Sequence, residues 1–330
     1  MMKYVDLGRT GVRVSELCMG TMTFGAQADE EMSGKLFQRC LDAGINHFDC
    51  ADIYADGRSE EILGRLIKGK RDDLVIATKA YFATGSGPND RGASRYHLVR
   101  ACEASLKRLD TDRIDLFYVH RFDESASLEE VLRGLESLVQ SGKILYPAFS
   151  NFAAWQVAKA LGVSAMRGWA PAVCIQPMYN LLKRQAEVEL LPMAQSEGLG
   201  VFPYSTLGGG YLTGKYTRDG ANGSGRITEN AMYGVRYGEE HYARIAAEFT
   251  ALANELGHHP ASLAVAWAAS HPGVTAPLLG ARNLEQLEPA IASVEIEMTE
   301  ELRARISALS PTPPPATDRN EEQVGHRPGK

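Results

Sequence analysis

The sequence contains few cysteines and no long apolar run, and these shortages exclude several kinds of protein. Five of its 330 residues are cysteines, an odd number, and no two of them stand at Cys-x-x-Cys spacing. A disulfide framework or a cysteine zinc site is therefore not expected, and we interpret the thiols as reduced. The longest candidate for a membrane span, Leu263–Ala269, is far shorter than the roughly 18 residues that a spanning helix needs.

The charge balance shows no basic excess. Lysine and arginine number 35 against 41 aspartate and glutamate residues, which gives a net charge of −6 at pH 7. A mildly acidic chain without a basic cluster argues against partners such as nucleic acid or an anionic membrane. The first ten residues, MMKYVDLGRT, contain no apolar stretch of the kind that directs secretion, so we expect a cytoplasmic protein.

Short apolar runs alternate with amphipathic stretches, which indicates repeated strand–helix units. The stretch Ser127–Ser141 has apolar residues at the i, i+3, i+4 and i+7 spacing of a helix. Strands that alternate with helices form right-handed units on a parallel sheet. Eight such units over roughly 250 to 300 residues favour an α/β fold of the (β/α)8 TIM barrel type over an open sheet. The predicted strands are Leu17–Gly20, Ile45–Asp49, Leu74–Lys79, Ile114–His120, Pro147–Ser150, Val173–Gln176, Leu199–Tyr204 and Val274–Gly280, and further predicted helices are Arg58–Ile67, Ser94–Leu109, Gln185–Glu197 and Asn283–Ala292.

Both ends of the chain differ from this repeat. Residues Val5–Val14 alternate in polarity around Arg9-Thr10-Gly11, which predicts a short N-terminal β-hairpin. Residues 311–330 combine prolines with charge and have no apolar period, so we expect a flexible C-terminal tail. No linker divides the remainder, and residues 1–310 are therefore expected to form a single barrel domain. The glycine-rich segment 217–240 is predicted as a long loop, which in compact domains is usually functional or disordered.

Two glycine motifs resemble nucleotide-binding loops but fail in detail. Gly209–Lys215 reads G-x-x-x-x-G-K, yet Tyr216 follows where a P-loop needs a serine or threonine hydroxyl for magnesium. The triplet beginning at Gly208 does not continue as G-x-G-x-x-G, because Thr213 holds the last position. Neither nucleoside triphosphate hydrolysis nor a Rossmann domain is supported, and no metal site is expected.

Polar residues stand at the carboxyl ends of successive predicted strands. In a barrel these ends converge on the face that carries the active site. A single strand-end lysine or histidine is commonly a capping or ion-pairing group, but each of these closes a predicted strand, and six such ends in register favour one common site. The residues are Asp49, Lys79, His120, Ser150 with Asn151, Gln176 and Tyr204.

A tyrosine close to the first of these ends completes a proton-donor set. Tyr54 lies five residues after Asp49, and a free tyrosine has a pKa near 10, which makes it a weak acid. The ammonium of Lys79 would favour the phenolate and lower that pKa, and a paired carboxylate would keep the lysine charged. His120 could then hold the oxygen that receives the proton. The alternative is that Tyr54 is a half-buried aromatic residue and that Asp49 and Lys79 form a structural ion pair.

Motifs along residues 3 to 308 resemble the aldo-keto reductase superfamily. They are GINHFDCADIYADGRSEEILGRLI, VIATK, DLFYVH, the Ser150-Asn151 pair, IQPMYN, PYSTLGGGYLTGKY and LLGARNLEQLE, in this order. The run LGGGYLTGKY is similar to the branch that contains bacterial reductases and potassium-channel β subunits. The resemblance implies an (α/β)8 barrel that binds NADPH without a Rossmann fold. It also implies a catalytic tetrad of Asp49, Tyr54, Lys79 and His120, with Tyr54 as the general acid.

The resemblance further implies which residues hold NADPH. Ser150, Asn151 and Gln176 would bond the nicotinamide carboxamide, and the ring of Tyr204 would stack on the nicotinamide. The end of the first strand beneath the cofactor would be Gly20, Thr21 and Met22. The pyrophosphate loop would be Ser205, Thr206, Leu207 and Gly208 with Lys215, and the adenosine and 2′-phosphate end would be Gly280, Arg282 and Gln286. Arg226 would belong to a belt that folds over the cofactor, and Asp49 would border the nicotinamide.

The sequence also departs from the family. Thr206 stands where many relatives have proline, and Pro289-Ala290 replace an acidic residue and an asparagine that often lie near the adenine. The tail does not resemble the substrate-closing loop of the longer steroid-type members. The substrate and the oligomeric state stay open, and the candidate pocket residues could equally be rim packing. They are Met22, Tyr81, Phe82, Phe122, Met232 and Tyr233.

Two functions are compatible with these features. In the first, NADPH reduces an aldehyde or ketone to an alcohol while Tyr54 supplies the proton. In the second, the protein is an NADPH-binding, redox-sensing subunit of the channel-β type with slow turnover. Turnover on simple aldehydes discriminates between them. Cofactor-independent lyase chemistry on the same barrel is disfavoured because the cofactor motifs are present.

Overall fold

A computed structural model describes residues 2–218, 225, 227 and 230–319. The chain begins with an antiparallel hairpin of β1 (Tyr4–Asp6) and β2 (Arg13–Ser15), in which Val5 pairs with Val14. Leu7 and Val14 are fully buried, in the same apolar cluster as the side chains inside the barrel. Gly8 has a positive φ, and a Cβ there would lie 2.8 Å from the carbonyl oxygen of Gly198. The hairpin therefore covers the amino-terminal end of the barrel at very close range.

Eight parallel strands form the barrel wall, in the spatial order β10-β3-β4-β5-β6-β7-β8-β9. The amide of Leu278 donates to the carbonyl of Pro203 at 2.9 Å, and that of Ala276 donates to the carbonyl of Val201 at 3.2 Å, so the two edges of the sheet are joined. The predicted (β/α)8 barrel and its N-terminal hairpin are confirmed. The strands are β3 (Cys18–Gly20), β4 (His47–Asp49), β5 (Val75–Ala80), β6 (Ile114–Val119), β7 (Ile144–Ser150), β8 (Cys174–Gln176), β9 (Gly200–Val201) and β10 (Leu278–Leu279).

Helices surround the strands. They are α1 (Glu30–Asp42), α2 (Arg58–Leu66), α3 (Arg95–Leu109), α4 (Leu128–Gln140), α5 (Ala154–Arg167), α6 (Leu190–Glu197), α7 (Lys215–Arg218), α8 (Ala231–Arg236), α9 (Glu240–Glu255), α10 (Pro260–Ala269), α11 (Leu284–Ile291) and α12 (Glu300–Ser307). Within the described ranges, none of these helices has the length and apolarity to cross a membrane. Residues 311–319 follow α12 without helix or strand, and the rest of the predicted tail, 320–330, lies outside the described residues.

Helix α4 shows why four of the five predicted helices held to within one residue. The Ser127 side chain accepts a hydrogen bond from the amide of Glu130 at 3.2 Å and so caps the first turn. Two glutamates in that turn complement the positive end of the helix dipole. The face that carries Leu132 and Leu135 is buried against the barrel.

Prolines explain where the predicted elements were wrong. The predicted helix Gln185–Glu197 is broken into a 3₁₀ turn at Gln185–Glu187 and helix α6. Pro192 has no amide proton and is tolerated only in the first turn of a helix, which is where it lies in α6. The predicted strands Leu199–Tyr204 and Val274–Gly280 shrink to β9 and β10. Pro203 lies two residues beyond β9 and Pro277 directly precedes β10. Neither has an amide proton to donate to a neighbouring strand, although the carbonyl of Pro203 still accepts from the amide of Leu278.

Side chains alternate between the barrel interior and the helix layer. On β6, Phe117 packs in the cluster beneath the helices, whereas Tyr118 points into the barrel with Cys174 and Phe202. The apolar interior ends at the carboxyl edges of the strands, where polar residues take over. This edge carries the candidate site.

Candidate active site

A buried ion pair lies at the centre of the carboxyl face. Lys79 Nζ donates to Asp49 Oδ2, and the two side chains are at most 1% exposed. Lys79 Nζ also donates to the carbonyl oxygen of Cys50 at 2.7 Å, and Gln176 Nε2 donates to the other Asp49 oxygen at 2.9 Å. Burial alone would lower the pKa of Lys79, but the adjacent charge of Asp49 reverses this and raises it. The lysine is therefore held as an ammonium ion.

Tyr54 begins a 3₁₀ turn, Tyr54–Gly57, directly above this pair. Lys79 Nζ lies 5.2 Å from the centre of the Tyr54 ring. Burial raises the pKa of Tyr54 to about 12, and the charge of Lys79 acts in the opposite direction. The predicted proximity is present, but the predicted net lowering of the pKa is wrong, because the loss of hydration outweighs the lysine.

His120 faces Tyr54 across the site. The two rings are 6.2 Å apart between centroids and almost perpendicular. Burial, followed by the charge of Lys79, lowers the pKa of His120 to about 3, so the imidazole is neutral at physiological pH. Its Nδ1 is buried and has no hydrogen-bond partner among the residues that the structure describes. A neutral imidazole in this position can donate one hydrogen bond and accept another.

Hydrogen bonds tie the ends of the next strands to one another. Ser150 Oγ donates to the carbonyl of Gln176 at 3.0 Å, and Asn151 Nδ2 donates to the carbonyl of His120 at 2.9 Å. Tyr204 OH donates to Asn151 Oδ1 at 2.7 Å, which fixes the tyrosine ring across the carboxyl face. Asn151 has a φ of 58°, a left-handed conformation that these bonds hold in place. The strand-end residues therefore form one connected polar group.

The glycine-rich loop after Tyr204 runs along the same face. Ser205 and Gly208 both have positive φ, and the amide of Gly208 donates to the carbonyl of Ser205 at 2.8 Å. Thr206 is buried, and its hydroxyl lies 3.4 Å from the carbonyl oxygen of Leu278. A Cβ on Gly210 would lie 3.2 Å from Lys215 Nζ, so the predicted lysine lies beside the loop. Leu207 is partly buried within it.

The first strand end closes the near side of the site. Gly20 pairs with Asp49 in register, and the amide of Thr21 donates to the carbonyl of Asp49 at 2.8 Å. The Thr21 hydroxyl is buried and accepts from Ser59 Oγ at 3.0 Å, so it serves the fold locally. Met22, in contrast, is 41% exposed at the rim.

The predicted adenosine end lies between β10 and α11. Gly280 is exposed, and a Cβ placed on it would contact nothing within 4 Å. The amide of Arg282 donates to Gln286 Oε1 at 3.1 Å, and Asn283 caps α11 by accepting from the amide of Gln286 at 3.0 Å. Arg226, the predicted belt residue, lies outside the described residues.

Aromatic side chains line the rim beside His120. The Phe82 ring packs edge-on against His120 with centroids 4.9 Å apart, and Tyr81 packs on Phe82 at 5.3 Å. Phe122 contacts Trp155 at 6.0 Å, a residue that the sequence argument did not name. Trp155 stands four residues after Asn151, at the start of a helix, and this position could have identified it as a rim residue from the sequence. Of the other two candidates, Met232 is exposed and Tyr233 is buried.

The sequence argument also missed Asn180 and Tyr237, which support the glycine-rich loop from below. Asn180 Nδ2 donates to the carbonyl of Ser205 at 2.9 Å, and the Tyr237 hydroxyl lies 2.9 Å from Ser205 Oγ. Asn180 stands in IQPMYN, the quoted motif that also contains Gln176, so its position was a usable signal. Across the described ranges, no cluster of three histidine, cysteine or acidic side chains is arranged to hold a metal ion.

Comparison with known proteins places this geometry in a family. A sequence model of the Aldo/keto reductase family matches residues 16–311. The chain is 40% identical to the uncharacterized oxidoreductase YrpG of Bacillus subtilis, over 94% of this chain and 97% of that protein. It is 36% identical to a probable voltage-gated potassium channel subunit beta of Oryza sativa, over 96% of this chain and 99% of that protein. A protein of the same description from Arabidopsis thaliana is also 36% identical, over 89% of this chain and 92% of that protein.

These matches support an oxidoreductase. They span the barrel strands and the carboxyl face on which the polar side chains converge. The chain belongs to the aldo/keto reductase family.

Proposed function

We propose that this protein reduces an aldehyde or ketone to an alcohol with NADPH, and that Tyr54 donates the proton. The observation that carries the proposal is the buried set in which charged Lys79, paired with Asp49, lies 5.2 Å from the Tyr54 ring centre while neutral His120 faces it. A carbonyl oxygen that enters between Tyr54 and His120 meets two hydrogen-bond donors. The substrate class beyond a small-molecule carbonyl compound is open.

The residues around this set fit the proposed cofactor. The loop Ser205–Gly208 has positive φ at both ends, and Lys215 lies next to the following glycines, which suits a backbone-lined anion site for a pyrophosphate. Tyr204 offers a flat ring fixed by its bond to Asn151. Gly280, where an added Cβ would contact nothing within 4 Å, leaves open space two residues before Arg282. The remaining proposed contacts are those named from the sequence, including Gly20, Thr21 and Met22.

The chemistry divides between cofactor and protein. NADPH supplies a hydride when bound, and the protein orients the reactants and moves the proton. Tyr54 with a pKa of about 12 stays protonated at physiological pH. It nevertheless donates readily to the oxygen of a developing alkoxide, because an alkoxide is a much stronger base than a phenolate. Lys79 stabilises the phenolate that remains, and His120 holds the carbonyl oxygen.

The second candidate is an NADPH-binding, redox-sensing subunit with slow turnover. It is favoured by the relatives described as potassium channel subunits beta. Both candidates require NADPH binding, and only the reductase requires rapid turnover of small carbonyl compounds.

We also propose, on the sequence evidence, that residues 1–310 act as one domain and that the protein is cytoplasmic.

The test measures NADPH oxidation with a panel of aldehydes, ketones and quinones. The absorbance of NADPH monitors the reaction. The reductase predicts turnover of at least one class at rates typical of enzymes, about 1 per second or faster. NADPH binding without turnover of any member of the panel would favour the sensing subunit.

A further inference from the structure

Tyr237 is a buried residue at the end of α8 that contacts the glycine-rich loop. Its side chain has no exposed surface. Its hydroxyl lies 2.9 Å from Ser205 Oγ and accepts a hydrogen bond from Asn180 Nδ2 at 3.1 Å. The same Asn180 amide group donates to the carbonyl of Ser205 at 2.9 Å. Tyr237 therefore contacts the side chain of Ser205, and Asn180 contacts its backbone carbonyl.

The ring of Tyr237 supports a second point of the loop. A Cβ on Gly209 would lie only 3.1 Å from Tyr237 Cε2, so the ring packs directly beneath that glycine. The hydroxyl and the ring thus reach two positions of the loop that are four residues apart. A single rigid side chain with two torsion angles can fix such a loop at little entropic cost.

The loop needs this support because its conformation is unfavourable for the residues in it. Ser205 has a φ of 61°, in the left-handed region that a side chain with a Cβ rarely adopts. Such a conformation persists only where surrounding contacts determine it. The contacts on Ser205 are the two from Asn180 and Tyr237 and the turn bond from Gly208.

We propose that Tyr237 is a positioning residue that fixes the loop Ser205–Gly210 in the conformation that binds the NADPH pyrophosphate. The inference rests on the proposed function, because it assigns the loop to that cofactor. Tyr237 acts through Ser205 and Gly209 and does not itself touch the reacting atoms. Its loss should therefore weaken cofactor binding and leave the proton-transfer set around Tyr54 intact.

The test compares Tyr237→Phe with Tyr242→Phe in the full chain. Tyr242 is a matched control. Its ring packs on that of Tyr237 with centroids 6.0 Å apart, a contact that phenylalanine retains, and its hydroxyl bonds Lys183 Nζ at 3.1 Å and does not contact Ser205 among the described residues. Calorimetric titration with NADPH should show binding about 3- to 10-fold weaker in Tyr237→Phe, the size expected for one hydrogen bond, and unchanged in the control. In steady state the KM for NADPH should rise, with kcat at saturating cofactor within about twofold of wild type.

Two further measurements separate positioning from general destabilisation. Hydrogen exchange of peptides covering residues 205–213, without cofactor, should be faster in Tyr237→Phe and unchanged in Tyr242→Phe. If both partners act through one contact, Ser205→Ala combined with Tyr237→Phe should weaken binding by less than the product of the single effects.

The outcomes distinguish the inference from the proposed function. Equal NADPH affinity in wild type and Tyr237→Phe, or unchanged exchange in the loop, overturns the role of Tyr237 while the reductase stands. Absence of NADPH binding in wild type overturns the proposed function and, with it, the assignment of the loop to the cofactor.

Discussion

At the scale of single residues, burial decides which groups of the site are charged. Lys79 stays cationic because Asp49 is in contact with it, while His120 is neutral because its burial and the nearby charge of Lys79 both disfavour the protonated imidazole. Tyr54 was expected from sequence to be acidified by the lysine, but the pKa follows its burial instead. The types of the neighbouring residues give the direction in which each one shifts a pKa. The net shift also depends on how deeply the group is buried, and burial is set by the fold.

Asp52 is a buried carboxyl group that the proposed mechanism does not use. It is 2% exposed, and neither oxygen accepts a hydrogen bond of normal geometry within the described part of the chain. Burial, followed by the charge of Glu60, raises its pKa to about 7. A raised pKa means that the folded state binds the proton more tightly, so this group lowers stability as the pH rises from about 4 to about 7.

Asp52→Asn should therefore stabilise the protein in a pH-dependent way. One pKa unit corresponds to about 1.4 kcal/mol, and allowing for the unpaired amide we expect a gain of about 1–3 kcal/mol at pH 8. The gain should shrink towards pH 4–5, where the wild-type carboxyl group is protonated in the folded state. Urea unfolding of both proteins at pH 5 and pH 8 measures this, and a gain of equal size at both pH values would show that ionisation of Asp52 is not the cause.

Arg282 is the residue to which we assign the preference for NADPH over NADH. The cofactors differ by the 2′-phosphate, which a guanidinium grips with paired, charge-assisted hydrogen bonds. Arg282 directly precedes Asn283, the cap of α11, and the amino-terminal end of that helix adds its own attraction for an anion such as a phosphate. Arg282→Ala should reduce the ratio of kcat/KM for NADPH to that for NADH by roughly 10- to 100-fold, the equivalent of about 1.5–3 kcal/mol. An unchanged ratio in the variant would remove Arg282 from this role.

At the scale of elements, a polar cluster clamps the segment after β8. Tyr179 is fully buried, its hydroxyl donates to Glu187 Oε1 at 2.6 Å, and it accepts from Arg303 Nη2 of α12 at 3.0 Å. Arg184 pairs with the same glutamate at 2.8 Å. The residue after Tyr179 is Asn180, which contacts the glycine-rich loop. The clamp of Tyr179, Arg184, Glu187 and Arg303 therefore fixes the chain directly beside the residue that supports this loop.

Tyr179→Phe should destabilise the fold without a direct effect on the proposed chemistry. The change leaves Glu187 and Arg303 each without one buried partner, and hydrogen bonds to charged groups contribute about 1.5–3 kcal/mol. We expect a loss of that size in the free energy of unfolding, measured by urea denaturation. Tyr96→Phe is the control, because Tyr96 is 61% exposed and its hydroxyl makes no hydrogen bond within the described residues. Equal stability of the two variants would contradict the clamp.

Elements whose ends are set by local chemistry could be predicted from sequence, and those set by long-range contacts could not. Helix α4 has its cap, its acidic first turn and its apolar face in one continuous stretch. The break before α6 depends on Pro192, whose effect the apolar period hides. The contact of Tyr237 with Asn180 joins residues 57 positions apart, and no local pattern marks it.

At the scale of the whole molecule, the parallel barrel brings together polar side chains that are far apart along the chain. Side chains at the carboxyl ends of different strands come to one face because the strands are parallel and joined edge to edge. This is why Asp49, Lys79, His120 and Gln176 could be predicted as one group from sequence. The hairpin covers the opposite end, where Leu7 and Val14 pack in the same apolar cluster as the side chains inside the barrel.

The most direct measurement of the central claim is the effect of Tyr54→Phe on turnover and on cofactor binding together. The substitution removes one hydroxyl and little volume, so the fold and the NADPH dissociation constant should stay within about twofold of wild type. The rate of carbonyl reduction should fall by about 10²-fold or more, the range typical of a lost general acid. Turnover close to that of wild type, with NADPH still bound, would contradict the assignment of Tyr54 as the proton donor.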